Sequence, residues 1–143
     1  MNLQEEIFIQ APVDQVFDYM MDVNNRAAYI PLLEEVIVLD EGPFQIGTRY
    51  TEISTIANRR LETTYQIIDF EENKKISVKT IKSVFPIKVD LELMPVNQNT
   101  QVSITMDFKL GGVFRFAAPL VRGIVQKQAQ DILQKLKRIL ESH

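Results

Sequence analysis

The stretch "IFIQAPVDQVFDYMMDV", residues 7–23, changes its period partway through. Ahead of Pro12 it alternates, and Leu3, Ile7 and Ile9 share one face of an extended segment. Beyond Pro12, Val13, Val16, Phe17 and Met20 recur at helical spacing, with Asp14, Gln15 and Asp18 elsewhere on the wheel. Proline suits a first helical turn, where its missing N–H costs nothing. Asp14 adds a negative charge at the positive end of the helix dipole. A short strand therefore delivers the chain directly into an amphipathic helix.

Working outward, "DVNNRAAYIP" (residues 22–31) reads as a second short helix stopped by Pro31. Residues 33–39 read as a strand, and "DEGPFQIG" (40–47) as a loop. From residue 48 to residue 108 the pattern is of strand type. Breaks fall near Asn58, at 71–75, at 83–86 and at 95–100, which makes an antiparallel meander. Phe85, Ile87, Val89, Leu91 and Leu93 share one face, as do Val102, Ile104, Met106, Phe108 and Leu110. Polar residues alternate with both sets, so one face of the sheet is covered and the other is wet. Leu61, Thr63, Tyr65 and Ile67 form a mixed face, and residues 48–56 give no clear parity.

Gly111 and Gly112 end the strand pattern, and residues 113–141 are helical in period. Leu120, Val121, Ile124, Val125, Ala129, Ile132, Leu133, Leu136, Ile139 and Leu140 form an apolar stripe. From Pro119 onward the helix is about 35 Å long. The proline should kink it or set apart a first segment, 113–118. A sheet with one apolar face and a helix with one apolar stripe must cover each other. The architecture expected is α+β: a curved antiparallel sheet of about six or seven strands wrapped around a long C-terminal helix, with two short helices after the first strand. A helix is narrow and a sheet is wide, so a gap is left, and the short helices should rim it.

The totals bound the function. With 143 residues and 45% hydrophobic content, the chain is expected to form one domain, 1–143, with a real core. A net charge of −3 disfavours nucleic acid as a partner. No apolar run is long enough for a bilayer span, and the N-terminus does not read as a secretory signal. There is no cysteine, which excludes disulfides and fits a cytoplasmic location. The lone histidine, His143, reads as a frayed end. With no internal histidine and no cysteine, neither a transition-metal site nor a cofactor is expected.

Three motifs carry a family resemblance. They are Ala11-Pro12 with Val16-Phe17, Tyr29 followed by Pro31, and Gly42-Pro43 with Gly47-Thr48-Arg49. Together with the terminal "LQKLKRILE" they resemble the START-like or SRPBCC superfamily (which includes the birch-pollen-allergen-like proteins), and within it the polyketide cyclase/dehydrase-like group. The resemblance implies the helix-grip fold, with a deep cavity between sheet and helix. It also implies binding of apolar small molecules such as lipids, sterols, polyketides or quinones, a minority of members being cyclases. Tyr29 stands where a tryptophan is frequent, which alters one cavity wall.

The candidate ligand-binding residues are Tyr29, Tyr50, Tyr65, Phe85, Val89, Met106, Phe108, Phe116 and Leu120. For the apolar ones, simple core packing is the competing reading. Tyr65 shares a face with Leu61 and Ile67, and its hydroxyl needs either a core partner or a ligand. Arg49, Glu52 and Glu62 are further polar candidates. Arg49 and Glu52 are three apart on a strand, so at most one points inward. No catalytic residue is assigned. Five lysines between Lys74 and Lys88 suggest either an anionic membrane surface or a solvated, lysine-protected edge strand. The expected function is binding of a hydrophobic or amphipathic molecule, with no stable membrane insertion. The alternatives are a cyclase or dehydratase using Tyr65 with Arg49 or Tyr50, and a quinone or isoprenoid chaperone. A homodimer is the one assembly left open.

Overall fold

A computed structural model describes residues 1–142, apart from the side chain of Phe114. His143, read above as a frayed end, lies outside the described residues. Seven strands form one antiparallel sheet: β1 (Asn2–Ile9), β2 (Leu33–Val38), β3 (Arg49–Ile56), β4 (Arg59–Glu71), β5 (Lys75–Lys82), β6 (Ile87–Val96) and β7 (Asn99–Phe108). Their spatial order is β1-β7-β6-β5-β4-β3-β2. Strands β2 to β7 are joined as hairpins, while β1 and β2 are the two edges. The chain therefore has to cross from one edge to the other between residues 10 and 32. It does so through α1 (Val13–Met21), a 3₁₀ turn (Val23–Asn25) and α2 (Arg26–Tyr29). That crossing is the purpose of the strand-to-helix break.

Local chemistry fixes the corner. Pro12 is the N-cap of α1, with φ −64° and ψ 151°, one position ahead of the first helical residue. The Ala11 carbonyl accepts a bond of 2.8 Å from the fully buried Thr100 hydroxyl on β7. Val16, Phe17 and Met20 are buried on the inner face of α1. The Asp22 carboxylate caps the 3₁₀ turn by accepting from the Asn24 N–H at 3.0 Å.

Three register shifts bend the sheet, at Glu34 on β2, at Ile68 on β4 and at Ile81 on β5. An extra residue in one strand increases local twist and bends it. The shift at Ile68 also moves the inward parity of β4. Tyr65 and Ile67 face the core before it, and Phe70 does so after it, meeting Phe17 edge-on at 5.7 Å.

The chain turns at Gly112 (φ +58°) into a 3₁₀ segment, Gly112–Ala117, and then α3 (Ala118–Glu141), with Pro119 in its first turn. Helix α3 runs beside β1 in the same direction. The Arg122 guanidinium donates to the Asn2 carbonyl at 2.8 Å, and the Gln126 and Gln130 amides donate to Glu5 at 3.0 Å. The Lys137 ammonium donates to the Phe8 carbonyl at 2.6 Å, and Glu141 accepts from the Gln10 N–H at 2.8 Å. The spans agree: residues 122–141 cover about 28 Å of helix and residues 2–10 about 27 Å of strand. Val125, Ala129, Ile132, Leu133, Leu136 and Leu140 are buried beneath the helix.

Two expectations are corrected. The stripe of α3 does not begin at Leu120: Leu120 is 68% exposed, Ile124 60% and Phe116 93%. Helical spacing shows which residues share a face, but not how far the covering sheet reaches. The lysine-rich strand is not an edge either, because β5 lies between β4 and β6. Its lysines project to the wet face, where Lys75 meets Asp69 at 3.4 Å and Lys88, on β6, meets Asp90 at 3.6 Å.

Leu136 is fully buried, so Leu136→Ala is predicted to cost about 2–5 kcal/mol in chemical denaturation. Leu120→Ala should stay within about 0.5 kcal/mol of the parent. Equal effects would contradict the placement of the helix.

Candidate functional site

The space between helix and sheet is a cavity of about 150 Å³. Its apolar wall comes from β5 (Ile76, Val78), β6 (Ile87, Val89, Leu91), β7 (Ile104, Met106) and α3 (Val125, Ile132). Met20 and Met21 on α1 and Ile30, just after α2, rim it. Among the described residues, the polar wall consists of Arg26, Tyr29, Tyr50, Glu52 and Tyr65, with Gln128 on α3.

The polar wall is built by the edge crossing. Arg26 and Tyr29 are three apart on α2 and so share one of its faces. Tyr50 and Glu52 are two apart on β3 and share its inner face. Tyr65 on β4 is the direct cross-strand partner of Tyr50. The Arg26 Nε and Nη2 donate to Glu52 Oε2 at 3.0 and 2.8 Å, and both side chains are largely hidden from solvent. The Arg26 guanidinium also sits 5.3 Å from the Tyr50 ring centre, within cation–π range. Phe44, Tyr50 and Tyr65 form a stack with centroid distances of 5.7 and 5.4 Å. The Tyr29 hydroxyl donates to the Met20 carbonyl at 3.3 Å. Among the described residues, the hydroxyls of Tyr50 and Tyr65 make no hydrogen bond.

Burial sets the protonation states. It pushes the Tyr50 phenol up, with Glu52 and Tyr29 adding to the rise and Arg26 opposing it. It pushes the Tyr65 phenol up as well, with Glu52 and Tyr50 adding and Arg26 opposing. For Arg26, burial works against the charge, but the attraction of Glu52 and the hydrogen bonds to it outweigh that, and the net direction is upward. At neutral pH the wall thus offers two neutral O–H donors beside a matched ion pair.

Of the residues singled out from sequence, Tyr29, Tyr50, Tyr65, Val89 and Met106 line the cavity. Phe108 is 1% exposed core and packs against Phe85 at 6.2 Å, so neither forms the wall. Phe116 and Leu120 face solvent. Arg49 points away, donating to Asp40 at 2.8 and 3.1 Å. Glu62 lies outside on β4 with Arg60, at 3.3 Å. Glu52 is the inward member of the Arg49/Glu52 pair, as strand parity requires. Arg26 escaped notice, although its i, i+3 spacing to Tyr29 was the available signal. Among the described residues, no group of His, Cys, Asp or Glu is arranged to hold a metal ion, and no helix is long and apolar enough to cross a membrane.

A curved seven-stranded sheet gripping a long terminal helix, with an interior cavity, defines the helix-grip class. The chain belongs to the polyketide cyclase/dehydrase and lipid transport family, whose model matches residues 1–141. By sequence, no curated protein matches it. Among solved structures it is similar to the Zhui aromatase/cyclase from Streptomyces sp. R1128, with TM-score 0.84 and 18% identity over 99% of this chain and 93% of that one. It is similar also to a START superfamily protein from Mycobacterium smegmatis, with TM-score 0.80 and 12% identity over 99% and 97%. The allergen Ara h 8.0201 gives TM-score 0.79 and 14% identity over 100% and 99%. At such identities the likeness is one of fold.

A tyrosine kept neutral by burial stabilises the fold below its unfolded pKa, about 10, and that contribution is lost as pH rises through the folded value. Tyr50 and Tyr65 should therefore stay protonated past pH 10 while the protein is folded. Their tyrosinate absorbance should appear together with alkaline unfolding. Ionisation of all four tyrosines near pH 10 with native circular dichroism would contradict this.

Proposed function

We propose that the protein binds a hydrophobic or amphipathic small molecule between the sheet and α3. The observation that carries this reading is the cavity itself. Its aliphatic walls leave room for a guest, and two phenol hydroxyls at one end make no hydrogen bond among the described residues. Ligand sites commonly combine an apolar lining with a few placed polar groups. The family description, which names both cyclase/dehydrase activity and lipid transport, supports the same reading. The absence of cysteine suits a cytoplasmic setting.

A second reading is favoured by the phenol pair beside Arg26. Donors held in a desolvated pocket can polarise a carbonyl and stabilise an enolate, which a cyclisation or dehydration requires. In that case Arg26 replaces Arg49 as the cationic member, and Tyr50 and Tyr65 are the donors.

Native mass spectrometry against a panel of lipids and aromatic metabolites tests the first reading. At least one apolar compound should bind in one-to-one ratio. Val89→Phe, which fills the cavity from β6, should weaken it at least tenfold with the fold intact, and Val78→Phe should do the same from β5. Absence of any bound apolar compound, or unchanged binding in both folded variants, would contradict the proposal.

A further inference from the structure

The geometry points to an uncharged ligand: a compact molecule of one or two rings whose carbonyl or hydroxyl oxygen accepts hydrogen bonds from Tyr50 and Tyr65. This deepens the binding reading and rests on it. Three observations carry it.

The first is charge. Besides the tyrosines, the ionisable residues on the cavity wall are Arg26 and Glu52, and they are already joined at 2.8 and 3.0 Å. The wall therefore has no net charge. A ligand carboxylate would leave water to lie beside Glu52, with Arg26 already engaged. A ligand ammonium would meet Arg26 under the same handicap. Burying an ion without a free counter-charge is strongly disfavoured.

The second is donor count. The Tyr50 and Tyr65 hydroxyls have no hydrogen-bond partner among the described residues, and both rings are fixed by the stack with Phe44. Burial keeps the two hydroxyls protonated, so both can donate. A pure hydrocarbon would leave them unsatisfied, whereas an acceptor oxygen at this end meets them. The hydroxyl of Tyr29 is already committed to the Met20 carbonyl.

The third is size. A space of about 150 Å³ is of the order that holds a single aromatic ring in engineered apolar cavities. It does not take the whole of a long-chain lipid or a tetracyclic skeleton without opening further.

The test is a matched series, tetralin, 1-tetralone and tetralin-1-carboxylate, measured by ligand-observed NMR against the intact protein. The ketone should bind about tenfold tighter than the hydrocarbon, the advantage of a made over an unmade hydrogen bond. It should also bind at least tenfold tighter than the carboxylate. Tyr50→Phe combined with Tyr65→Phe keeps both rings and should remove the ketone's advantage while leaving tetralin unchanged. Glu52→Gln frees the positive charge of Arg26 and should raise carboxylate affinity. If that variant does not fold, the phenylalanine pair still decides. Tightest binding by the carboxylate would overturn the inference while leaving the cavity reading standing. So would equal binding of ketone and hydrocarbon, or an undiminished ketone in the phenylalanine pair. If none of the three binds in either the parent or the variants, the inference is overturned, and the cavity reading stands or falls by the wider panel.

Discussion

The structure depends on a mismatch of widths. A helix with its side chains is about 10–12 Å across, and the sheet that grips it has seven strands. Helix α3 cannot cover them all, and it is tied to one edge. Arg122, Gln126, Gln130, Lys137 and Glu141 fasten it along β1 from end to end. The apolar residues of β5 and β6, further across the sheet, are left facing space rather than helix. The three register shifts bend the sheet back over that space.

The open side is rimmed by a segment whose course is dictated by topology. Because β1 and β2 lie at opposite edges, residues 10–32 must span the end of the barrel-like sheet. They carry Met20, Met21, Arg26, Tyr29 and Ile30 over the cavity. Arg26 cannot be left there alone, since an unpaired buried charge costs several kcal/mol. Glu52 on β3 meets it, and the Tyr50 ring lies against the same guanidinium. One ion pair thus attaches the crossing helices to the sheet and gives the cavity its polar end. The same contact serves packing and recognition, so substitutions there will affect both.

Much of this was legible in the residues. The alternation in β6 and β7 and the proline break after β1 each obey a local period and led to the correct element and face, and the long terminal stripe led to the correct helix and to its buried face from Val125 onward. The parity of β4 beyond Ile67 was not legible, because a bulge at Ile68 shifts it and a bulge leaves no fixed residue signature. The exposure of Phe116 and Leu120 was hidden for a different reason. Amphipathic spacing describes a helix, while burial depends on where its partner ends. The site followed the same division. Tyr65 could be found from the face it shares with Leu61 and Ile67, whereas Tyr50 stood in a stretch without clear parity and was marked by its residue type alone. The Arg26–Glu52 pair could not, because it joins α2 to β3 across 26 positions of sequence and only the crossing of residues 10–32 brings them together.

The central claim is that the interior holds room for an apolar guest. Xenon pressurisation of crystals tests it without assuming any ligand, since xenon enters dry apolar cavities of this order. An anomalous peak bounded by Met20, Val89, Met106 and Ile132 is the predicted result. A structure at the same pressure with side chains filling that position and no peak there would contradict the account.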